Sequence, residues 1–292
     1  MYKTIILILI IILIYYNVNC LCETFIEESS IDSIKSFTKE ISIYRPVESN
    51  ELADVKTKIL KEMNKLNLKI KEQLFTRNIK NKNYKFSNLI GINPNSKGPY
   101  ILLGAHLDSP QIEGCESTID AATSIAIILE LAKNILKNNP NFPIMILFVD
   151  GEEAIDGSWS DDNTLSGSKY FVNNFNLDLI DKVYIFDLIG GDIENNKIAG
   201  FSNNPDTFND IKKLAEINSN YKNKIFINPD IFMAKNTIID DHVPFKEKGK
   251  YSLNLIPYIF PKNHHKLEDN YKNVNWDYVN VFYNVFFDFL KV

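Results

Sequence analysis

Ile144-Met145-Ile146-Leu147-Phe148-Val149-Asp150-Gly151-Glu152-Glu153 sets an unbroken apolar run directly before a glycine and two adjacent glutamates. Consecutive apolar residues without polar alternation predict a strand buried on both faces, as in parallel sheets. The glutamates then fall at the strand's carboxyl end, where open α/β sheets assemble their sites. Neighbouring residues leaving a strand diverge in direction, so Glu152 and Glu153 cannot both grip one ion. One is suited to holding a metal and the other to moving protons. A Glu-Glu pair on its own is more often a solvated turn, so the reading depends on partners elsewhere in the chain.

Working outward, the apolar stretch at residues 100–106 predicts a second buried strand, ending in His106-Leu107-Asp108. Asp120 stands at the entrance of a helix whose Ile125, Ile128, Leu129, Ala132, Ile135 and Leu136 share one face. The breaking segment 138–143 returns the chain to the first strand, which makes a β-α-β unit and a parallel pair. A third buried strand at 183–187 ends in Asp187, and a fourth is expected at 252–256, with helices at 166–173, 208–217 and 276–290. On the N-terminal side, helical spacing through Leu52, Val55, Ile59, Met63 and Leu66 belongs to the second of two helices. Segments 68–76 and 84–92 alternate as an antiparallel edge hairpin around an Asn/Lys-rich loop at 78–83. The fold class is α/β: a three-layer sandwich with a central mixed, mostly parallel β-sheet flanked by helices.

With 292 residues, 45% apolar and 24% charged, the chain can bury one sizeable core, which predicts a single catalytic domain over 23–292. A net charge of −5 without a clustered Lys/Arg face argues against a nucleic-acid partner. Residues 1–22 carry Lys3, an apolar run from 5 to 16 and a polar boundary, the pattern of a signal peptide or, uncleaved, of a short membrane anchor. Either form directs the chain to the secretory pathway, secreted or retained in the ER or Golgi, with no other membrane contact expected. Cys22 and Cys115 offer a disulfide there.

The polar residues gathered at predicted strand ends and connections are His106, Asp108, Asp120, Glu152, Glu153, Asp187, Asp240, Asp241, His242, His264 and His265. All four histidines of the chain fall in this set. A lone histidine is more often a satisfied imidazole than a ligand, so it is the joint placement that counts. Zinc takes about three N or O ligands and an open position for water or substrate, and this inventory supplies them.

The same residues carry a family resemblance. His106-x-Asp108, Thr118-Ile119-Asp120-Ala121-Ala122, Phe148-Val149-Asp150-Gly151-Glu152-Glu153-Ala154, Leu165-Ser166-Gly167-Ser168, Phe186-Asp187-Leu188-Ile189-Gly190, Asp240-Asp241-His242-Val243-Pro244-Phe245 and Phe260-Pro261-x-x-His264-His265 occur in the order found in the glutaminyl-peptide cyclotransferases. Together they resemble that zinc acyltransferase branch of the zinc-exopeptidase-like fold. The resemblance implies one zinc per chain held by Asp120, Glu153 and His265, Glu152 as acid/base and Asp187 as its hydrogen-bonding companion. It also implies substrate contacts from Trp159, Asp240, Phe260 and His264. Substrates would be peptides or proteins with N-terminal glutamine, and more slowly glutamate, converted to pyroglutamate by a monomeric enzyme. Two positions depart from the pattern: His264 replaces the usual tryptophan before the ligand histidine, and Ile239 replaces a polar amide. The rival reading is a two-zinc aminopeptidase in which His106 and Asp187 hold a second ion and Asp120 bridges both.

Overall fold

The computed structural model of the chain describes residues 29–201, 207–231, 233–234 and 238–291. The leader expected at 1–22, and Cys22 with it, lies outside these residues. Helix α1 (Ser30–Ile41) starts where the Ser29 hydroxyl accepts from the Asp32 amide, and α2 (Asn50–Lys65) where the Ser49 hydroxyl accepts from Leu52. Such caps satisfy amides that the first helical turn leaves unpaired. The buried stripe of α2 is Leu52, Val55, Ile59 and Met63, the spacing seen in the sequence.

Strands β1 (Lys69–Ile79) and β2 (Lys82–Ile92) form the edge hairpin. The pairing runs further than the expected loop allowed, to Ile79 opposite Lys82. Lys80 and Asn81 both take positive φ, at 48° and 66°, and so turn the chain in two residues. Next come β3 (Tyr100–His106), α3 (Thr123–Asn138), β4 (Ile144–Val149), α4 (Ser166–Asn174), β5 (Ile180–Phe186) and α5 (Phe208–Asn218). The chain closes with α6 (His242–Glu247), β8 (Ser252–Leu255) and α7 (Trp276–Lys291). Two short segments, β6 (Gly200–Phe201) and β7 (Met233–Ala234), make a separate parallel pair that the sequence did not foretell.

The main sheet has the order β1-β2-β4-β3-β5-β8. Its β4–β3, β3–β5 and β5–β8 pairs are parallel and its β1–β2 and β2–β4 pairs antiparallel, the mixed and mostly parallel α/β sheet expected. Strand β4 lies inside it with every residue buried. Ile144, Ile146 and Phe148 face a core shared with α1, α2, α3 and α7, while Met145, Leu147 and Val149 face a second core with Phe171 of α4 and Phe245 of α6. Helices therefore cover both faces, which explains the absence of polar alternation in the run. No helix among the described residues is long and apolar enough to cross a membrane.

Helix α7 closes the larger core with aromatic rings. Phe286 meets Phe186 edge-on at 4.8 Å and Tyr184 at 5.4 Å between centroids. Edge-to-face pairs of this kind add to simple burial. Phe286→Ala should lower unfolding free energy by roughly 3–5 kcal/mol in urea titration. A loss under about 1 kcal/mol would contradict this packing.

Candidate active site

Three parallel strands deliver their carboxyl ends to one edge of the sheet, and the connections leaving them carry the polar residues. Past β4 the chain turns at Gly151 with φ of +74°, a conformation that suits a residue without Cβ. A side chain there would also overlap the Phe86 ring. The turn is held by Asp108, whose Oδ1 accepts from the amides of Gly151 (2.9 Å) and Glu152 (3.1 Å) and whose Oδ2 accepts from Glu153 (3.1 Å). One buried carboxylate thus orients the whole Gly-Glu-Glu turn.

Asp120 sits in a single wide helical turn, Thr118–Ala122, where its own φ and ψ of −119° and 73° are not helical. The regular helix begins only at Thr123, later than the sequence implied, because the Asp120 backbone bends away from the helix axis to aim its carboxylate at the sheet edge. Its Oδ1 lies 2.9 Å from His106 Nε2. Its Oδ2 is buried with no hydrogen-bonding partner, facing His265 Nε2 at 3.4 Å and His264 Nε2 at 3.6 Å. His265 Nε2 is also 3.2 Å from Glu153 Oε1. Asp120 Oδ2 and Glu153 Oε1 thus each approach His265 Nε2, while the donor atoms on this side that all lie within 4.8 Å of one another belong to Asp120, His264 and His265, and Asp120 Oδ2 has no hydrogen-bonding partner among the described residues. That is a donor set zinc accepts, and the residues present fit a metal ion.

His106 occupies the other side of Asp120. Its Nδ1 lies 3.1 Å from the Asp108 carbonyl and its Nε2 faces Asp120 and, at 3.4 Å, Asp187 Oδ1. Burial disfavours a charged ring, yet the Asp120 and Asp187 carboxylates and the charge of Glu152 lift its pKa well above the ordinary value. Burial raises Glu152 well above the usual carboxylate range, with Glu153 and Asp240 adding to the shift against the pull of His106. Burial likewise pushes Asp187 up to about 7.

All nine site residues singled out in the sequence, Asp120, Glu152, Glu153, Trp159, Asp187, Asp240, Phe260, His264 and His265, line one cavity of about 350 Å³. Ile238, Ile239 and Ile256 complete it. Trp159 and Phe260 are 45% and 40% exposed, so they stand at the mouth rather than in the core. His264 stacks on His265 at 3.8 Å and meets Phe260 edge-on at 5.0 Å, which continues the aromatic rim. Asp240 is buried and accepts from the Asn254 amide at 2.7 Å. Asp241 and His242 lie buried behind the cavity at the start of α6 and are not part of its lining. Among the described residues Cys115 has no disulfide partner, the expected one, Cys22, lying outside them; its buried Sγ donates to the Lys266 carbonyl at 3.3 Å, and burial pushes its pKa up to about 11.

Sequence reasoning placed Asp108 among the polar strand-end residues without a role, and it missed Arg45 altogether. Arg45 is fully buried beneath the site and gives its guanidinium hydrogens to the carbonyls of Leu107, Ile43, Glu116 and Ser117. No local pattern around Ile43-Tyr44-Arg45-Pro46 announces this, since its acceptors are backbone groups more than sixty residues away apart from Ile43.

Helices on both faces of the sheet and a candidate metal site of carboxylates and imidazoles at the parallel strand ends make this an α/β domain of the zinc-exopeptidase-like fold class. The sequence profile of peptidase family M28 matches residues 88–290, and the chain belongs to that family. It is similar to the glutaminyl-peptide cyclotransferase of Gloydius blomhoffii, 26% identical over 230 residues that cover 65% of this chain and 61% of that protein. The chain thus spans about three fifths of that curated relative's length. Among solved structures it is similar to Macrostomum lignano glutaminyl cyclase, with a TM-score of 0.80 at 23% identity, covering 89% of this chain and 88% of that one. It is similar also to a Zn-dependent exopeptidase from Parabacteroides distasonis, with a TM-score of 0.77 at 16% identity, covering 89% and 97% of the two chains. At these identities the structural likeness speaks for the fold.

Asp108→Ala would leave three buried amides of the Glu152–Glu153 turn without their acceptor. Unfolding free energy should fall by about 2–5 kcal/mol in denaturant titration, with Asp108→Asn recovering part of it. Equal stability of the alanine variant and the parent chain would rule out this role for Asp108.

Proposed function

We propose that the chain is a glutaminyl-peptide cyclotransferase, converting N-terminal glutamine of peptides and proteins to pyroglutamate with release of ammonia. The observation that carries this reading is that Asp120, Glu153, His265 and Glu152 line one cavity, with Asp120 and Glu153 each within 3.4 Å of His265 Nε2 and Glu152 buried beside them. The names of the relatives support it. Asp120, Glu153 and His265 would hold one zinc, which supplies a Lewis acid for the substrate's side-chain carbonyl.

Cyclisation joins the substrate's α-amino nitrogen to its own side-chain carbonyl carbon and expels ammonia, so the protein need not provide a nucleophile. Glu152 takes a proton from the attacking amine and gives it to the leaving nitrogen. Burial holds its pKa above the ordinary carboxylate value, which favours keeping that proton until the nitrogen leaves. Asp187 and Asp240 line the same cavity beside that carboxyl. Trp159, Phe260 and His264 form the rim that covers the terminal residue and limits water. A terminal glutamate reacts more slowly, because its leaving group is water or hydroxide rather than ammonia. We assign this chemistry to one catalytic domain over 23–292, monomeric, behind a leader at 1–22 that routes it into the secretory pathway.

A second reading, a two-zinc aminopeptidase, is favoured by one observation: ligand atoms of His106, Asp120 and Asp187 lie within 4.8 Å of one another, a second group beside that of Asp120, His264 and His265. Metal content separates the two. One zinc per chain, with ammonia released from a Gln-initiated peptide and abolished by a chelator, is the expected result. Two tightly bound ions needed for hydrolysis of aminoacyl anilides, without ammonia release, would decide for the aminopeptidase.

Variants divide the adjacent glutamates. Glu152→Gln should keep its zinc and lose turnover by about a hundredfold or more, the scale of a missing general acid/base. Glu153→Ala should lose the metal. Metal analysis and ammonia assays on both proteins check this, and zinc loss from the Glu152 variant with retention by the other would reverse the assignment.

A further inference from the structure

Two remote segments of the cavity wall are tied to each other by side-chain-to-backbone bonds. The turn carrying Asp120 and the loop carrying His265 meet through Asp269, which is fully buried four residues after His265. A single oxygen of its carboxylate, Oδ1, accepts from the amides of both Thr118 (3.1 Å) and Ile119 (2.9 Å). Both amides stand at the start of the wide turn, where a helical turn offers its first amides no acceptor of its own. Two lesser ties run alongside: the Tyr271 amide donates to Glu116 Oε2 at 2.9 Å, and Cys115 Sγ donates to the Lys266 carbonyl. From beneath, Arg45 holds the carbonyls of Glu116 and Ser117 at 2.9 and 3.0 Å. The peptide units just before Asp120 are thus gripped on their carbonyl side by a guanidinium and on their amide side by a carboxylate.

We propose that Asp269 is a positioning residue for the metal centre, fixing the Asp120 turn against the His265 loop so that the two donors face one point before any ion arrives. The inference rests on the reading of Asp120 and His265 as metal donors, and extends it. The position of each donor side chain follows from its backbone, and Asp269 holds the Thr118 and Ile119 amides just before Asp120 directly by hydrogen bonds. Without it the donors must be ordered when the ion binds, and that ordering weakens affinity.

The test is zinc affinity of the full chain, measured by competition with a chromophoric chelator, alongside melting temperature and the exchange rates of the Thr118 and Ile119 amides. Partners that orient metal ligands typically account for about 10–100-fold in affinity, so Asp269→Ala should weaken zinc binding by about tenfold or more. The two amides should exchange faster, and saturating zinc should restore most of the activity. Asp269→Asn keeps an oxygen acceptor in place and should stay within about threefold of the parent, whereas Asp269→Glu keeps the charge but displaces the oxygen and should resemble alanine. Should the alanine variant fail to fold, the order of asparagine and glutamate decides. Glutamate binding like the parent while asparagine is weakened overturns the proposal, as does a folded alanine variant with unchanged zinc affinity. A parent chain that binds no zinc at all overturns the metal-centre reading and this inference with it; unchanged affinity in the variants overturns this inference alone.

Discussion

Buried negative charge is the constraint on which the rest of this structure depends. Asp108, Asp120, Glu152, Glu153, Asp187, Asp240, Asp241 and Asp269 are all buried around the carboxyl ends of the parallel strands, with Arg45 the only buried arginine beneath them. Unpaired carboxylates removed from water are costly, so each must find amides, protons or a cation. Asp108 and Asp269 find backbone amides. Glu152, Asp187 and Asp241 respond by holding protons more firmly, burial being the main cause in each. Asp120 goes the other way, since burial is outweighed by His106 and His265 and its carboxylate stays ionised well below the usual range. A site whose acids differ this much in how firmly they hold protons is suited both to holding a metal and to transferring a proton.

That division follows from how the sheet presents its ends. Strands β3, β4 and β5 lie side by side and parallel, so His106, the Gly151–Glu153 turn and Asp187 emerge at one edge without any long-range search. The remaining donors come from connections, and connections need restraint. Asp108 restrains the glutamate turn, while Arg45 and Asp269 restrain the Asp120 turn. The chemistry is carried by loops, and their precision comes from buried charged groups bonded to backbone.

The rim has a different character. Trp159, Phe260 and Ile239 remain substantially exposed although all three are large and apolar. His264 answers part of the question raised by the missing tryptophan, because its ring stacks on His265 and abuts Phe260. Exposed apolar side chains gathered around a polar floor suit a substrate whose end is polar and whose body is a peptide.

Much of this was legible in the chain itself. The apolar runs at 100–106, 144–149 and 183–186 could only be buried strands, and the polar residues that end them could only collect at one edge, because parallel strands joined by right-handed crossovers leave no other arrangement. The nine cavity residues named in advance came from the family resemblance carried by motif order, and Trp159 and Phe260 among them stand at no strand end. What tertiary structure alone decided is the set of restraints: the two-residue turn that extended the hairpin, the bend that delayed α3 to Thr123, and the bonds from Asp108, Arg45 and Asp269 to backbone groups. Backbone amides and carbonyls are the same at every position, so a sequence carries no mark of which side chain, sixty or one hundred and fifty residues away, will come to hold them.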